Sequence, residues 1–337
     1  MIGLLIRRLG GRFFGIGVVT FFMLLFAGEW RLEAQPSTYP TRPITLTCPW
    51  GAGTTPDLTT RVIAPKLSKM WGVPVEVVNK PGGSGIVGTH AVMRDKPDGY
   101  SLLVECPGSS SMQLGWDADV PYKVEERTFV ARVVVNPFVI IVPASAPWKT
   151  LGDVEQAIRK DPGSFKWPFV GTSAPDLAIG QFRLALTSRG VDLAQTKVVP
   201  YSTAAQVYTA VAGNHVQIYA GGYSAVEPLA RAEKLRIIAV TSPKRCKFYS
   251  DLPTTAEQGF PNVVLEFWVG YSGPRGLPEN VVKKWIDALK TVLDDPEMLP
   301  TFDRLAILPA LLAGDDFKKF VMDEAKMIKG IGVLKPK

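Results

Sequence analysis

Two stretches of the chain combine glycine, hydroxyl side chains, proline and aspartate in the same order. Residues 49–58 read PWGAGTTPDL and residues 171–177 read GTSAPDL, and each follows a short apolar stretch. Serine or threonine just ahead of the proline can cap a helix through its side-chain oxygen. Proline fits the first helical turn, where its missing N–H costs nothing. Each stretch therefore predicts a strand, a loop and a helix start whose free N–H groups suit an anion.

The two loops together indicate a two-sided ligand site. Gly51, Gly53 and Gly171 let the backbone approach a ligand closely. The loops lie roughly 120 positions apart in the chain, and ligands of open α/β sheets bind at the carboxyl ends of strands. We expect both loops to face one cleft and to contact one ligand. The ligand-binding residues predicted in them are Trp50, Gly51, Ala52, Gly53, Thr54, Thr55, Asp57, Gly171, Thr172, Ser173 and Asp176.

The two aspartates admit an interpretation as paired catalytic carboxylates. Asp57 and Asp176 each fall at the second or third position of a predicted helix, where a carboxylate complements the helix dipole. If they reach the cleft, they suit a hydroxyl, ammonium or water of the ligand rather than its carboxylate. We therefore predict no catalytic residue.

Two enzyme classes remain as alternatives. A dinucleotide-dependent dehydrogenase is indicated by residues 83–88, which match GxGxxG. Residues 79–82 separate these glycines from the preceding strand, however, which favours a tight turn with helix–sheet packing. An exported hydrolase would need a nucleophile, but residues 82–86 fail the GxSxG pattern at its last position, and residues 109–111 are interpreted as a polar loop. His90 and His215 are interpreted as surface or structural residues.

The cysteines do not form a recognisable framework. Cys48, Cys106 and Cys246 are odd in number and widely spaced, so one bridge is possible but a disulfide scaffold is excluded. With two histidines and no CxxC pair, the chain has little material for a metal site. We predict no metal and no other cofactor.

Length and composition bound the class of protein. A chain of 337 residues corresponds to about two domains. Its 46% hydrophobic and 20% charged residues are typical of a packed globular protein. The net charge of +7 is spread without a long basic run, which argues against a nucleic-acid partner.

The N-terminus resembles a secretory signal. Arg7, Arg8 and Arg12 precede an apolar run over residues 13–27, and a polar stretch with Ala34 follows. The run is shorter than the roughly 20 residues that cross a bilayer. We predict a cleavable signal peptide over residues 1–34 and a periplasmic mature protein.

Strands and helices are predicted to alternate. Strands are expected at residues 44–48, 73–78, 100–104, 138–142, 197–199, 216–220, 236–240 and 263–269, with a further strand ending at 170. Helices are expected up to residues 70 and 188 after the two loops, and at 85–95, 150–160, 203–213, 224–233, 278–294 and 315–329. This alternation predicts an α/β protein with mainly parallel sheets flanked by helices.

A series of ordered motifs runs through most of the chain. They include YPTRPI from residue 39, PWxAGxxxDxxxR from 49, NKPGGSGIVG from 79, KPDGYSLL from 96, VPY from 199, AVTSPKR from 239 and LPTTAEQGF from 252. These motifs resemble the Bug family, the TctC-like extracytoplasmic solute-binding proteins of tripartite tricarboxylate transporters.

The resemblance implies a two-domain periplasmic binding protein fold, type II-like, with the ligand cleft between the domains. Domain 1 would comprise residues 39–138 and 264–337 and domain 2 residues 139–263, with a hinge near Phe138 and Val264. Family members hold ligand carboxylates largely through backbone N–H groups, hydroxyls and waters of the two loops. The alignment adds Tyr223 and Trp268 to the predicted ligand-binding residues.

The resemblance also implies a function. The chain would capture a small carboxylate by hinge closure and deliver it to the small and large membrane subunits of a tripartite tricarboxylate-type transporter. It would be a monomer without enzymatic activity. Trp50 stands where the family usually has phenylalanine, and Asp176 stands where histidine is common, which leaves an aromatic carboxylate and a di- or tricarboxylate as alternatives.

Overall fold

The alternation of short apolar strands with helices is confirmed in the computed structural model, which describes residues 39–116, 118–171 and 173–331. The predicted signal peptide lies outside these residues, and the strands and helices belong to one compact unit that starts at Pro40. Its strands are β1 Ile44–Cys48, β2 Val75–Asn79, β3 Ser101–Glu105, β4 Thr128–Pro143, β5 Lys166–Phe169, β6 Lys197–Pro200, β7 Tyr219–Gly222, β8 Leu235–Val240, β9 Glu266–Gly273 and β10 Leu308–Ala313.

The helices are α1 Thr55–Trp71, α2 Ile86–Met93, α3 Ser111–Gly115, α4 Leu151–Lys160, α5 Ala174–Ser188, α6 Ala204–Ala212, α7 Tyr223–Arg231, α8 Glu279–Leu293, α9 Leu299–Arg304 and α10 Gly314–Ile331. Most of the helices lie close to the predicted positions, but the short helices α3 and α9 were not predicted. In the part of the chain that the structure describes, no helix is long and apolar enough to span a membrane.

The long strand β4 belongs to two sets of strands. Up to Pro137 it pairs with β9, and from Phe138 it pairs with β7 and β8. β1 pairs in parallel with β2 and β3, and β5 pairs in parallel with β6, as the βα alternation predicts. Every pairing of β4 or β9 is antiparallel, which the sequence analysis did not anticipate. The difference arises because β4 and β9 carry the chain between the two sets rather than belonging to βαβ units.

Strand directions fix which edges face each other. β9 is antiparallel to β3, and β4 is antiparallel to β9, so β4 runs in the same direction as β1 and β3. The part of β4 that follows Pro137 therefore extends beyond the carboxyl ends of β1 and β3. β7 runs antiparallel to β4 and ends at Gly222, opposite Phe138. Its carboxyl end thus points back towards the first set of strands.

Each set of strands has a hydrophobic core. The larger core contains the second half of β4 together with buried residues of α5 such as Phe182. In the first set, a cluster of buried side chains contains Phe129, Trp268 and Phe317, with the Trp268 and Phe317 rings 5.3 Å apart and edge to face. Trp268 is 0% exposed and its Nε1–H donates to Glu324 Oε2 at 2.8 Å. Its side chain is therefore a core element, and we leave it out of the site that is proposed below.

The glycine-rich segment after β2 forms a turn and a close packing contact. Gly82, Gly83 and Gly85 have positive φ values of 138°, 54° and 88°. A Cβ at Gly88 would lie 2.6 Å from the Lys80 carbonyl oxygen and 2.9 Å from Pro49 Cα. These glycines thus let α2 approach the backbone closely, and the turn starts three residues after β2 ends at Asn79. This arrangement agrees with a structural role and not with a dinucleotide fingerprint, which needs the glycines at the strand end.

Glu324 on α10 makes stability depend on pH. Burial raises the pKa of its carboxyl group to about 7, although hydrogen bonds from Ser111 and Trp268 and the charge of Arg132 oppose the shift. Because the pKa in the fold lies above its unfolded value, the stabilisation is complete below about pH 4 and is lost as the pH rises through 7.

We therefore expect Glu324→Gln to raise the free energy of unfolding at pH 8, on the order of 2 kcal/mol, and to change it little at pH 5. Guanidinium unfolding at both pH values measures this difference, with the exposed Glu125→Gln as control. Equal effects of Glu324→Gln at both pH values would contradict the assignment.

Candidate functional site

The first loop, residues 49–54, connects β1 to α1 and is mostly exposed. Its chain turns at Gly53, where φ is 81°, and Thr54 is the N-cap residue of α1. The Thr54 hydroxyl donates to the Gly51 carbonyl at 2.7 Å instead of capping the helix. Pro56 lies in the first turn, as predicted. The first-turn N–H groups of α1 therefore have no side-chain cap from the N-cap residue and remain available at the loop.

Asp57 is a buried residue that holds this loop in place through hydrogen bonds. It is 1% exposed, and its Oδ2 accepts the Gly53 N–H at 2.9 Å. Its Oδ1 accepts from Arg61 Nε at 3.0 Å and from Asn79 Nδ2 at 2.8 Å. Burial raises the pKa of Asp57, but these hydrogen bonds and the Arg61 charge outweigh it and hold the pKa below its usual value. The carboxylate is thus charged, buried and fully engaged within the protein.

The second loop joins β5 to α5 and repeats this arrangement. Ser173 is the N-cap residue of α5, and its Oγ accepts the Asp176 N–H at 3.4 Å. The Ser173 hydroxyl donates in turn to Asp176 Oδ2, while Asp176 Oδ1 accepts the Val170 N–H at 3.1 Å. Burial raises the pKa of Asp176 to about 6. Thr172 lies outside the described residues.

The two aspartates therefore have equivalent structural roles. Each is the third residue of its helix, follows a proline and accepts a backbone N–H from the loop that precedes the helix. Each is at least nine-tenths buried. The expectation that they complement a helix start agrees with this geometry.

Three glycines leave open space at the two loops. A Cβ added at Gly51, Gly53 or Gly171 would meet no atom within 4 Å. Gly53 and Gly171 also have positive φ values, 81° and 118°. The backbone of both loops is consequently uncovered on one side, which is the condition for a ligand to reach its N–H groups.

Trp50 lies against two glycines of neighbouring strand ends. A Cβ on Gly108 would lie 2.8 Å from Trp50 Cζ2, and one on Gly85 would lie 3.2 Å from the same atom. Trp50 is half-buried, and its Nε1–H is buried without a hydrogen-bond partner. The indole therefore rests on the segments that follow β2 and β3, next to the first loop, and is held there by close packing.

Two tyrosines directly follow the carboxyl ends of β6 and β7. Tyr223 is the first residue of α7, directly after β7, and its ring lies 3.9 Å from that of Tyr249. Tyr201 follows β6 and donates its backbone N–H to the Phe169 carbonyl at 2.8 Å, just before the second loop. Tyr201 was not among the predicted site residues. Its position after an apolar strand, next to Ser202 and Thr203, was the available signal.

Strand directions determine which edge of the sheet each loop occupies. The first loop follows the carboxyl end of β1, beyond which β4 extends into the second set of strands. The second loop lies beside β7, because α5, which starts at this loop, packs against β7. Since the carboxyl end of β7 points back towards the first set of strands, the strand directions are compatible with the prediction that both loops face one cleft. A groove of about 840 Å³ between α5, residues 259–266 and α10 is lined by neither loop and is separate from this arrangement.

Other candidate chemistry is structural in the described residues. Ser109 and Ser110, expected in a polar loop, are instead fully buried, and both donate to Glu105. Glu105 also forms a fully buried ion pair with Arg127 at 2.7 Å. The three cysteines are buried and unpaired. Within residues 39–116, 118–171 and 173–331, no group of three or more His, Cys, Asp or Glu side chains is arranged to hold a metal ion.

The family is decided by a match over most of the chain. The model of the tripartite tricarboxylate transporter family receptor matches residues 59–333. The chain belongs to this receptor family. Protein BugT of Bordetella pertussis is 26% identical over 298 residues, which cover 87% of this chain and 89% of BugT. The resemblance to the Bug family is thereby confirmed.

Solved structures support the same fold. A TctC solute-binding protein from Polaromonas has a TM-score of 0.73 and 26% identity, and the match covers 87% of this chain and 98% of that one. An R. palustris protein solved with adipate has a TM-score of 0.71 and 25% identity, with 88% and 99% covered. The predicted α/β periplasmic binding protein fold is confirmed, and the family is one of transporter receptors.

Proposed function

We propose that this receptor captures a small carboxylate between its two helix-start loops and delivers it to a tripartite tricarboxylate-type transporter. The observation that carries the proposal is the repeated loop geometry, with open backbone at Gly53 and Gly171 and a helix start behind each. Free N–H groups at two helix starts form an electropositive site on both sides of one cleft. The R. palustris relative solved with adipate, a dicarboxylate, supports the ligand class.

We assign ligand recognition to the backbone of the two loops and to neighbouring aromatic side chains. The Asp57 and Asp176 carboxylates are occupied within their loops, and neither loop contains an arginine. The Gly53 N–H and the Thr54 and Ser173 hydroxyls are also engaged within the protein. We therefore assign the carboxylate groups of the ligand to other backbone N–H groups of the two loops, such as those of Gly51, Ala52 and Gly171. Trp50 and Tyr223 line the sides, and a flat aromatic carboxylate or a di- or tricarboxylate fits between them.

Binding is coupled to hinge closure. We assign residues 39–138 with 264–337 to domain 1 and residues 139–263 to domain 2. The change of β4 partners at Phe138 and the return of the chain at Leu265, whose N–H donates to the Thr241 carbonyl at 3.1 Å, support hinges at these two crossings. Ligand that contacts both domains favours the closed state.

The protein acts without turnover. Its serines and aspartates near the cleft are engaged in structural hydrogen bonds. The glycines on which the dehydrogenase alternative depends serve the close packing of α2. We assign export to a signal peptide over residues 1–34, a monomeric state in the periplasm, and docking to the small and large membrane subunits of the transporter.

A ligand screen on the mature protein tests the proposal. Thermal shift against aliphatic, aromatic and amino-acid carboxylates identifies the ligand, and titration calorimetry measures its affinity. We expect small-angle scattering to show a smaller radius of gyration with saturating ligand, and the ligand to be recovered chemically unchanged. Steady conversion with multiple turnovers, or the absence of binding to any carboxylate, would reject the function.

A further inference from the structure

Asn136 lies where β4 passes from one set of strands to the other. It pairs with Phe267 of β9, and two residues later Phe138 pairs with Gly222 of β7. The side chains of Asn136 and Phe138 share one face of the strand. Asn136 is 5% exposed, and its Oδ1 has no hydrogen-bond partner. A buried carbonyl oxygen without a hydrogen-bond donor lowers the stability of the fold, and such acceptors are rare in native proteins.

The start of α7 lies directly against this acceptor. Gly222 is the N-cap residue of α7, and α7 has no side-chain cap. A Cβ on Gly222 would lie 3.7 Å from Asn136 Oδ1 and 3.7 Å from Phe138 Cε1. The first N–H groups of a helix have no partner within the helix. The Asn136 oxygen, which has no donor, therefore lies next to the uncapped N–H groups of α7 at the carboxyl end of β7.

The chemistry of this pair selects one kind of group. A ligand carboxylate would suit the helix start but would face the oxygen of Asn136 with a second acceptor. An ammonium would suit Asn136 but would face the positive end of the helix. A hydroxyl both accepts and donates, so it satisfies the two sides together.

We propose that Asn136 and the start of α7 bind a hydroxyl of the ligand, so that this receptor selects hydroxycarboxylates over carboxylates without the hydroxyl. This inference rests on the proposed function and names the substrate class of the same cleft. In this structure Asn136 Oδ1 is buried beside Gly222, so the hydroxyl enters while the domains are apart and is enclosed as they close.

Matched ligand pairs test the selection. Titration calorimetry on the mature protein compares malate with succinate and mandelate with phenylacetate. In at least one pair, we expect the hydroxylated member to bind wild type about tenfold tighter, the net value of one hydrogen bond. In Asn136→Leu this ratio falls to about one, while the member without the hydroxyl keeps its wild-type affinity.

A second variant keeps the test valid if Asn136→Leu fails to fold. Gly222→Ala is compatible with the backbone, since φ is −63° and the added Cβ makes only ordinary contacts. It fills the gap in which the hydroxyl would lie, so it too should abolish the preference. Equal binding within both pairs in wild type, or a preference that survives either folded variant, overturns the inference but leaves carboxylate capture intact. If neither pair binds and the wider screen is also negative, the proposed function fails and the inference fails with it.

Discussion

Replacing Gly53 or Gly171 by valine is expected to weaken carboxylate binding by at least about 100-fold, or about 2.7 kcal/mol. At both positions an added Cβ projects into open space beside the loop backbone, where the ligand approaches the N–H groups. A β-branched residue also resists the positive φ values of 81° and 118°. Both effects act on the backbone of the loop, and titration calorimetry with the ligand found by screening measures their sum.

Two glycines outside the loops provide matched controls. Gly72 ends α1 with φ 68°, and Gly190 follows α5 with φ 72°, and a Cβ on either meets no atom within 4 Å. Valine at these positions imposes similar backbone strain without changing a loop, so we expect lower thermal stability but wild-type affinity. Wild-type affinity in folded Gly53→Val and Gly171→Val would instead locate the ligand elsewhere.

The sequence predicted the parts of the site that depend on local chemistry. The order of hydroxyl residue, proline and aspartate determined both helix starts, and the structure has Ser173 as a cap and Pro56 and Pro175 in first turns, as expected. Positive φ at Gly53 follows from the tight turn that the loop requires. These features involve residues within six positions of one another, where short-range sterics and hydrogen bonds dominate.

Features that depend on distant contacts were not accessible from the sequence. Asn79 closes the Asp57 network from the end of β2, and nothing in its local sequence indicates this contact. Trp268 lies in a family motif, but the packing of α10 against β9 makes it a core residue. The antiparallel course of β4 was missed because a strand that continues from one sheet into another has the same local pattern as two separate strands.

The buried ion pair Glu105–Arg127 could not be predicted from local sequence patterns either. We expect it to dominate the stability of the first set of strands. Both side chains are 0% exposed, and Glu105 Oε1 also accepts from Ser272 at 2.6 Å. Arg127→Met leaves the carboxylate buried without its cation, so we expect a loss of about 3–5 kcal/mol in the free energy of unfolding.

Denaturant unfolding of Arg127→Met beside Lys123→Met measures how much of this loss is due to burial. Lys123 forms an exposed pair with Glu126 at 3.2 Å, whose removal should cost at most about 1 kcal/mol. Adding Glu105→Gln to Arg127→Met should recover part of the loss, because the amide carries no charge to desolvate. Equal effects of the two single variants would refute the buried charge as the cause.

We expect Arg127→Met to weaken ligand binding as well. Glu105 ends β3, and Gly108, which supports Trp50, follows three residues later.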